Sequence, residues 1–301
     1  MIRGESVANP PLIMLHGGPG LSETGFFRLF NSALERSFTV VYWDQRGAGR
    51  SAGRHVPPSS MTVERFVLDL DELVRMVCER LDRSRVAIFG HSWGSALGPL
   101  YAARFPDRVG AYVGSGQVGD WAAAERASYS FALAEAERLD RGRIASKLRA
   151  IGPPPHDAKA LWTQRTALSR LEGMMRPPAL WTSIRAAVGA PESSVLELRP
   201  SLRAFRSSIE AMWPEVSALD LNELAPALSA PAFFFLGRKD HWVPAEVSLA
   251  YIDRLRAPSK RVVWFERSGH EPFVDEPERF NAAMKDLVLP AMTGDAGEAS
   301  G

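Results

Sequence analysis

VAIFGHSWGS, residues 86–95, begins with the apolar run VAIF and continues with two glycines, Gly90 and Gly94, on either side of Ser92. Its first four residues have the composition of a buried strand, and the residues from Ser95 to Arg104 follow with a helical pattern. G-x-S-x-G between a strand and a helix is typical of a sharp turn that exposes a nucleophilic serine. Side chains at Gly90 and Gly94 would collide across such a turn. We therefore expect Ser92 to project from a strand end, above the positive end of a helix.

A serine needs a base to become a nucleophile at neutral pH, and the base needs an acid to orient it. One further apolar run leads into Asp240, and another leads into His270. Because parallel strands present their carboxyl ends to one edge of a sheet, the three side chains are expected to meet there. Their chain order, Ser–Asp–His, is the order expected of a fold that presents its serine on a strand–turn–helix elbow. The sequence thus predicts Ser92, His270 and Asp240 as a catalytic triad.

Other carboxylates compete with Asp240 for the acid position. Glu266 and Glu271 also lie near the second run, but they are too close to His270 in sequence to approach its ring from a separate strand. Taken alone, a histidine after a strand or an aspartate in a loop is more often structural. The combination with Ser92 favours a catalytic role, with Asp240 as the acid.

The glycine-rich segment HGGPG, residues 16–20, follows the apolar run Leu12–Leu15. Acyl transfer creates an oxyanion that rigid backbone N–H groups must bind. The residue after the nucleophile, Trp93, is expected to supply one N–H, and Gly18 of the glycine-rich turn the other. His16 is expected to hold this loop in place rather than to transfer protons.

A second loop, DQRGAGRS at residues 44–51, follows the apolar run Thr39–Trp43. Its glycine spacing departs from that of dinucleotide-binding loops, and the HVPP sequence at 55–58 prevents an immediate helix. No nucleotide cofactor is therefore expected. Asp44 and Arg46 are predicted to stabilise the loop through a charge-assisted pair.

Short apolar runs alternate with helical patterns at both ends of the chain, which predicts an α/β fold with a mostly parallel sheet covered on both faces. The helix expected after Thr62 has the clearest apolar periodicity. The predicted strands are Leu12–Leu15, Thr39–Trp43, Val86–Phe89, Tyr112–Gly114, Ala232–Leu236 and Val262–Phe265.

The middle of the chain has a different pattern. Residues 117–230 are rich in Ala, Glu and Arg and show no buried strand, so they are expected to form a helical cap inserted into a core made of residues 1–116 and 231–290. The polar segment 291–301 is expected to be a disordered tail.

Composition excludes several functions. The chain of 301 residues is 46% hydrophobic and 24% charged with a net charge of +1, so it has no excess positive charge for nucleic acid or an anionic membrane. Its one cysteine, Cys78, excludes an internal disulfide and cysteine-based metal sites. There is no targeting segment and no apolar run of membrane-spanning length. We expect a cytoplasmic protein with a small substrate and no metal or cofactor.

Taken together, these motifs resemble the α/β-hydrolase fold and, within it, the proline iminopeptidase-like serine hydrolases. The resemblance implies Ser92 as nucleophile, His270 as general base and acid, Asp240 as its orienting acid, and Gly18 and Trp93 as oxyanion donors. The matching motifs are HGGPG at 16–20, DQRGAGRS at 44–51, GHSWGS at 90–95, GRKD at 237–240 and SGH at 268–270.

The sequence departs from that family at two places. Such iminopeptidases hold the substrate's amino group with cap carboxylates, one of them in a W-x-x-W-E segment, whereas Trp162–Thr166 lacks the acid and only Glu172 and Glu210 stand as replacements. The residues Met1–Pro11 leave room for one short strand, where such folds usually open with a hairpin. The sheet is therefore expected to be trimmed there, or the chain to start upstream.

The expected function is hydrolysis of an acyl bond through an acyl-enzyme, on a small peptide or amide. A carboxylesterase or lactonase is the alternative, and a ligand-sensing protein with little turnover is the alternative from another class. Two roles are open for four of the tryptophans, lining an apolar acyl pocket or packing in the core: Trp162, Trp181, Trp213 and Trp242.

Overall fold

A computed structural model describes residues 1–52, 56–171 and 198–294. The six strands expected from the sequence are all present, most of them longer than expected, together with one short strand at the start of the chain. The strands are β1 (Ile2–Arg3), β2 (Pro11–Leu15), β3 (Thr39–Trp43), β4 (Val86–His91), β5 (Val109–Ser115), β6 (Ala232–Gly237) and β7 (Lys260–Phe265).

These strands form a seven-stranded sheet in the order β1-β3-β2-β4-β5-β6-β7. The short strand β1 pairs antiparallel with β3, and every other neighbouring pair is parallel. The predicted α/β class with a mostly parallel sheet is confirmed. The carboxyl ends of β2, β4, β5, β6 and β7 consequently lie at one edge.

Helices flank this sheet. They are α1 (Thr24–Asn31), α2 (Val63–Leu81), α3 (Trp93–Arg104), α4 (Trp121–Arg138), α5 (Gly142–Ile151), α6 (Ala158–Arg170), α7 (Leu198–Val216), α8 (Leu221–Leu224), α9 (Ala245–Arg254), α10 (Pro272–Asp275), α11 (Pro277–Ala283) and α12 (Leu289–Thr293). None of the helices in the described ranges is long and apolar enough to cross a membrane.

Side chains of each strand alternate between two apolar layers. In β2, Ile13 and Leu15 belong to the layer that α2 and α3 cover, whereas Leu12 and Met14 belong to the layer on the opposite face, which contains Phe27 of α1. All four are nearly inaccessible to solvent. This burial on both faces explains why the strands are uniformly apolar in sequence.

The predicted helix after Thr62 is α2. The Thr62 side chain accepts a hydrogen bond from the backbone N–H of Arg65 at 3.2 Å and so caps the helix. The apolar positions Phe66, Leu70 and Val74 are fully buried against the sheet.

Between β5 and β6, the described residues contain the helices α4 to α8. Antiparallel pairing between Asp120 and Asp220 joins the two ends of this segment. Backbone hydrogen bonds reinforce the junction, from Trp121 N–H to the Leu219 carbonyl at 3.0 Å and from Leu221 N–H to the Gly119 carbonyl at 2.7 Å. The helical segment therefore leaves and re-enters the sheet region at one point.

The chain end differs from the expected tail. Helix α12 extends to Thr293, into the segment 291–301 expected to be disordered, and residues 295–301 lie outside the described part. This end of the helix is packed against the core through Met292. The Met292 sulfur lies so close to β5 that a Cβ on Gly110 would be 2.7 Å from it.

Candidate active site

Ser92 lies in a sharp turn between β4 and α3. Its backbone has φ 52° and ψ −114°, a conformation that a residue with a side chain rarely adopts. A Cβ on Gly90 would collide with the Gly94 carbonyl, and one on Gly94 would collide with the Leu15 carbonyl of β2. The two glycines of the motif are therefore required for the strand and the helix to meet this closely.

The backbone around Ser92 is held without use of its hydroxyl group. Ser92 N–H donates to the Ser115 carbonyl at 2.9 Å, and the Ser92 carbonyl accepts from the Ser95 hydroxyl at 2.6 Å. The Ser92 side chain does not cap α3. Its hydroxyl group is thus left for other chemistry.

His270 and Asp240 form a buried pair at the same sheet edge. The His270 Nδ1 donates to Asp240 Oδ2 at 2.8 Å, and both side chains are less than 5% exposed. The other carboxylate oxygen accepts from the backbone N–H groups of Trp242 and Val243, each at 2.9 Å. Because Nδ1 carries the proton, Nε2 is the nitrogen with a free lone pair.

Burial lowers the pKa of His270 below its usual 6.5, because the charged imidazolium loses hydration there. The Asp240 carboxylate opposes this effect without reversing it. The imidazole is therefore neutral at neutral pH, the form that can accept a proton.

The structure brings Ser92 and His270 to the wall of one cavity. The end of β5 connects them, since the Ser115 carbonyl binds the backbone of Ser92 and the next residue, Gly116, packs under the imidazole. A Cβ on Gly116 would lie 2.6 Å from the His270 Cε1 atom. With Asp240 bonded to the ring, the three predicted residues are assembled at one place.

The two rival carboxylates have other surroundings. Glu266 is more than half exposed and pairs with Arg238 at 2.9 Å. Glu271 is buried in the cavity wall but forms no hydrogen bond to the His270 ring. Among these three candidates, Asp240 is the one that contacts the imidazole.

The glycine-rich loop lies beside Ser92. Gly17 and Gly18 both line the cavity. Gly18 has φ +117°, and a Cβ there would lie 2.5 Å from the Gly20 backbone nitrogen, so this position requires glycine. Trp93 is the first residue of α3, and its backbone N–H has no acceptor within that helix. The structure thus places Gly18 in the same cavity wall as Ser92, and Trp93 directly after Ser92 at the start of α3.

A buried hydrogen-bond network supports this loop. Gln45 donates through its side chain to the His16 carbonyl at 3.0 Å and accepts from the Trp93 indole N–H at 2.9 Å. The Gln45 backbone N–H donates to His16 Nε2 at 3.0 Å. His16 is thus structural, as expected. Gln45 belongs to the DQRGAGRS loop, but nothing in the sequence marks it for this role.

The expected pair between Asp44 and Arg46 is wrong. The Arg46 guanidinium forms a two-point contact with Asp69 of α2, at 2.8 and 2.9 Å. Asp44 instead accepts hydrogen bonds from the Ser22 and Thr24 hydroxyl groups. The two residues are close in sequence, but the turn after β3 directs their side chains to different neighbours.

Three further titratable side chains are buried in the same cavity wall as Ser92 and His270, and the sequence assigns no role to any of them. His91 donates from Nδ1 to Glu23 Oε1 at 2.7 Å and from Nε2 to the His270 carbonyl at 3.1 Å. Burial lowers the pKa of His91, but the Glu23 carboxylate more than compensates and raises it to about 9. Burial raises the pKa of Glu271 to about 8. His91 occupies the unspecified second position of the G-x-S-x-G pattern, and Glu23 carries no sequence signal.

The helical segment forms the remaining walls of the cavity, whose empty volume is about 750 Å³ with its mouth included. Of the two roles left open for the tryptophans, the structure supports the first: Trp162, Trp213 and Trp242 line the cavity, and Trp181 lies outside the described residues. Arg165 also lines it, paired with Glu125 and positioned 4.9 Å over the Trp242 ring.

Of the two cap glutamates considered from sequence, Glu210 does not line the cavity formed by the described residues. Glu210 is more than half exposed and lies 3.4 Å from Arg206, and Glu172 lies outside the described residues. In the described ranges no group of three His, Cys, Asp or Glu side chains is arranged to hold a metal ion.

Comparison with known proteins agrees with this architecture. The family model described as alpha/beta hydrolase fold matches residues 10–277. The probable aminopeptidase YbaC of Bacillus subtilis (strain 168) is 32% identical over 283 residues, which cover 93% of this chain and 89% of that protein. The proline iminopeptidase of Heyndrickxia coagulans is 26% identical over 294 residues, covering 94% of this chain and 92% of that protein.

Among solved structures, a proline iminopeptidase-related protein from Thermus thermophilus has a TM-score of 0.64 at 24% identity, over 97% of this chain and 93% of that one. An esterase from Exiguobacterium antarcticum has a TM-score of 0.63 at 19% identity, over 96% and 94%. These two likenesses concern the fold. With the family match and the full-length relatives, they lead to one conclusion: the chain belongs to the α/β-hydrolase fold family, as a hydrolase similar to aminopeptidases and proline iminopeptidases.

Proposed function

We propose that this chain is a serine hydrolase that cleaves an acyl bond of a small substrate through a covalent acyl-enzyme. The observation that carries the proposal is the buried pair between His270 and Asp240, 2.8 Å apart, at the wall of the cavity that Ser92 also lines. A neutral imidazole with a free Nε2 is the base that a serine nucleophile needs.

In the proposed reaction, His270 Nε2 accepts the Ser92 proton as Oγ attacks the substrate carbonyl carbon. The imidazolium that forms is stabilised by Asp240, and it then donates its proton to the leaving amine or alcohol. Water enters, loses a proton to His270 and attacks the acyl carbon, which releases the acid and restores the Ser92 hydroxyl group.

The carbonyl oxygen becomes negatively charged in both tetrahedral intermediates. The backbone N–H groups of Gly18 and Trp93 are proposed to bind it, because Gly18 lines the same cavity as Ser92 and Trp93 begins α3 directly after Ser92. The link from His16 through Gln45 to Trp93 fixes the two donors relative to each other before the reaction starts.

The proposed substrate is a small peptide or amide cleaved at its N-terminal residue. The relative that is 32% identical is named a probable aminopeptidase, and the similarity extends over nearly the whole chain. The helical segment 117–230 is proposed to act as the cap that closes the cavity over the substrate. The cavity is concave and lined mostly by apolar and aromatic side chains, which suits a small ligand.

A carboxylesterase is the second candidate. Part of the cavity wall would accept an uncharged acyl chain, because it is formed by Trp162, Trp213 and Trp242. Hydrolysis of short p-nitrophenyl esters that is clearly faster than hydrolysis of aminoacyl amides would favour this candidate.

Fluorophosphonate labelling tests the proposal. Wild-type protein should be labelled and should hydrolyse p-nitrophenyl acetate, and Ser92→Ala should lose both properties. If the folded wild-type protein shows neither, the hydrolase mechanism is wrong and a ligand-sensing role replaces it.

A further inference from the structure

Three buried carboxylates outside the proposed triad line the same cavity. Glu125 pairs with Arg165 of the helical segment, and the other two are Glu23 and Glu271. Glu23 is 1% exposed and Glu271 is 4% exposed. In each of them the Oε2 atom is buried and has no hydrogen-bond partner in the described part of the chain. Hydrolysis of an acyl bond by Ser92 and His270 does not require either group.

An unpaired carboxylate oxygen in a buried position is unfavourable, because it has lost its water and gained no donor. His91 satisfies the Oε1 atom of Glu23 from the side of the core. The other cation in the cavity wall, Arg165, already pairs with Glu125. The cavity therefore has carboxylate oxygens that lack donors, which is the arrangement that a cationic ligand completes.

The position of Glu23 relative to Ser92 limits which cation fits. A Cβ on Gly17 would lie 3.0 Å from Glu23 Oε1 and 3.3 Å from Ser92 Cβ, so the carboxylate and the nucleophile flank the same glycine. A cation held there is close to the carbonyl carbon that Ser92 attacks. The α-ammonium of an N-terminal residue is separated from that carbon by a single carbon atom.

We propose that Glu23 and Glu271 form an ammonium subsite that binds the protonated α-amino group of the substrate's N-terminal residue. This inference rests on the proposed function and adds to it the groups that select a free N-terminus. It places the selection in the sheet domain, on the loop before α1 and the residue after His270, rather than in the helical segment.

The local charges are consistent with this subsite. A doubly protonated His91, with both ring nitrogens donating, balances one of the two carboxylates. A substrate ammonium would balance the other. Glu271, whose pKa burial raises to about 8, would be drawn into its ionised form when the ammonium binds.

The test compares substrates that differ only in the amino group. L-Alanyl p-nitroanilide and propionyl p-nitroanilide are measured with wild type, Glu23→Gln and Glu271→Gln. Wild type should prefer the alanyl substrate, and each variant should reduce the alanyl-to-propionyl ratio of kcat/KM by roughly 10- to 100-fold, mainly through KM. Glu23→Gln keeps the oxygen that accepts from His91, so a lost hydrogen bond to His91 would not explain the change.

Glu266→Gln is the matched control. It removes a carboxylate five residues before Glu271, but at an exposed position paired with Arg238, and should leave the ratio unchanged. A second measurement uses catalytically inactive Ser92→Ala protein and calorimetry. L-Alaninamide should bind at least tenfold more tightly than propionamide, and the added Glu271→Gln change should remove that difference.

The outcomes separate this inference from the proposed function. A protein that is labelled by fluorophosphonate but treats the alanyl and propionyl compounds alike would overturn the ammonium subsite and leave the serine hydrolase intact. An unchanged ratio in folded Glu23→Gln and Glu271→Gln would also overturn it. A wild-type protein with no labelling and no hydrolysis would overturn the proposed function itself. If one variant fails to fold, the other variant and the calorimetry decide.

Discussion

His91 Nε2 donates a hydrogen bond to the backbone carbonyl of His270 at 3.1 Å, so the residue before the proposed nucleophile holds the residue proposed as its base. The other nitrogen of the same ring donates to Glu23. His91 thus joins three separate parts of the chain: the loop before α1, the end of β4 and the loop after β7. Because both of its contacts need a proton on the ring, this link depends on pH.

His91→Gln should reduce stability by roughly 3 kcal/mol at pH 6, because Glu23 loses its buried cationic partner. The pKa of His91 is about 9 in the folded protein against 6.5 ordinarily, so the stabilisation is complete below pH 6.5 and is lost as the pH rises through 9. Urea unfolding at pH 6 and pH 9.5 should therefore show the gap between wild type and variant shrinking. A gap that stays constant would mean that His91 is neutral.

Glu271→Gln should have the opposite effect on the pH dependence of stability. Burial raises the pKa of Glu271 from 4.5 to about 8, so ionisation in the folded protein is unfavourable and wild type loses stability as the pH rises from 4.5 to 8. The variant carries no charge there and should equal wild type near pH 4.5 but exceed it at pH 8.5 in the absence of substrate. A variant less stable than wild type at pH 8.5 would contradict this.

The rate of hydrolysis should fall on the acid side with a midpoint below pH 6.5. Burial lowers the pKa of His270, and only the neutral ring accepts the Ser92 proton. Asp240→Asn should lower kcat by a factor on the order of 10⁴, because the ring loses the carboxylate that fixes its Nδ1 proton. The pH profile of kcat/KM on a p-nitrophenyl ester checks the midpoint, and a value above 7 would contradict the assignment.

Gln45→Leu should lower kcat by roughly 10- to 100-fold with little change in KM, because Gln45 holds the glycine-rich loop and Trp93 in register. Leucine fills a similar volume but leaves the Trp93 indole N–H and the His16 carbonyl without partners. Steady-state kinetics on the same ester separates the two parameters. A change confined to KM would show that the network shapes the binding cavity instead of the oxyanion site.

The parts of this site that follow from sequence are those whose position depends on topology alone. Asp240 and His270 follow parallel strands, so their meeting with Ser92 requires only that the strands share a sheet edge. The position of Gly18 can be predicted in the same way, because it follows β2 at the same edge of the sheet. The fold class could be predicted because strands buried on both faces are uniformly apolar.

Other parts depend on the rotation of a helix or the path of a loop, which local sequence does not specify. Asp69 meets Arg46 because of the face that α2 presents. Glu23 lies at the start of α1, where nothing in the sequence marks it as a partner of His91. The sequence marks Glu271 only as a rival acid, because its distance from the imidazole depends on the turn after His270.

Replacing Gly94, in the turn at Ser92, separates the steric effect of a glycine from its effect on backbone conformation. Gly94→Ala should destabilise the protein by roughly 3 kcal/mol or more, because the new Cβ would collide with the Leu15 carbonyl in the rigid core strand β2. Gly142→Ala is the control, since Gly142 is the first residue of α5 and a Cβ there meets no atom within 4 Å. Alanine favours helix, so the control should gain about 0.5–1 kcal/mol. Thermal and urea unfolding measure both changes, and a Gly94→Ala protein as stable as wild type would mean that the turn is looser than described.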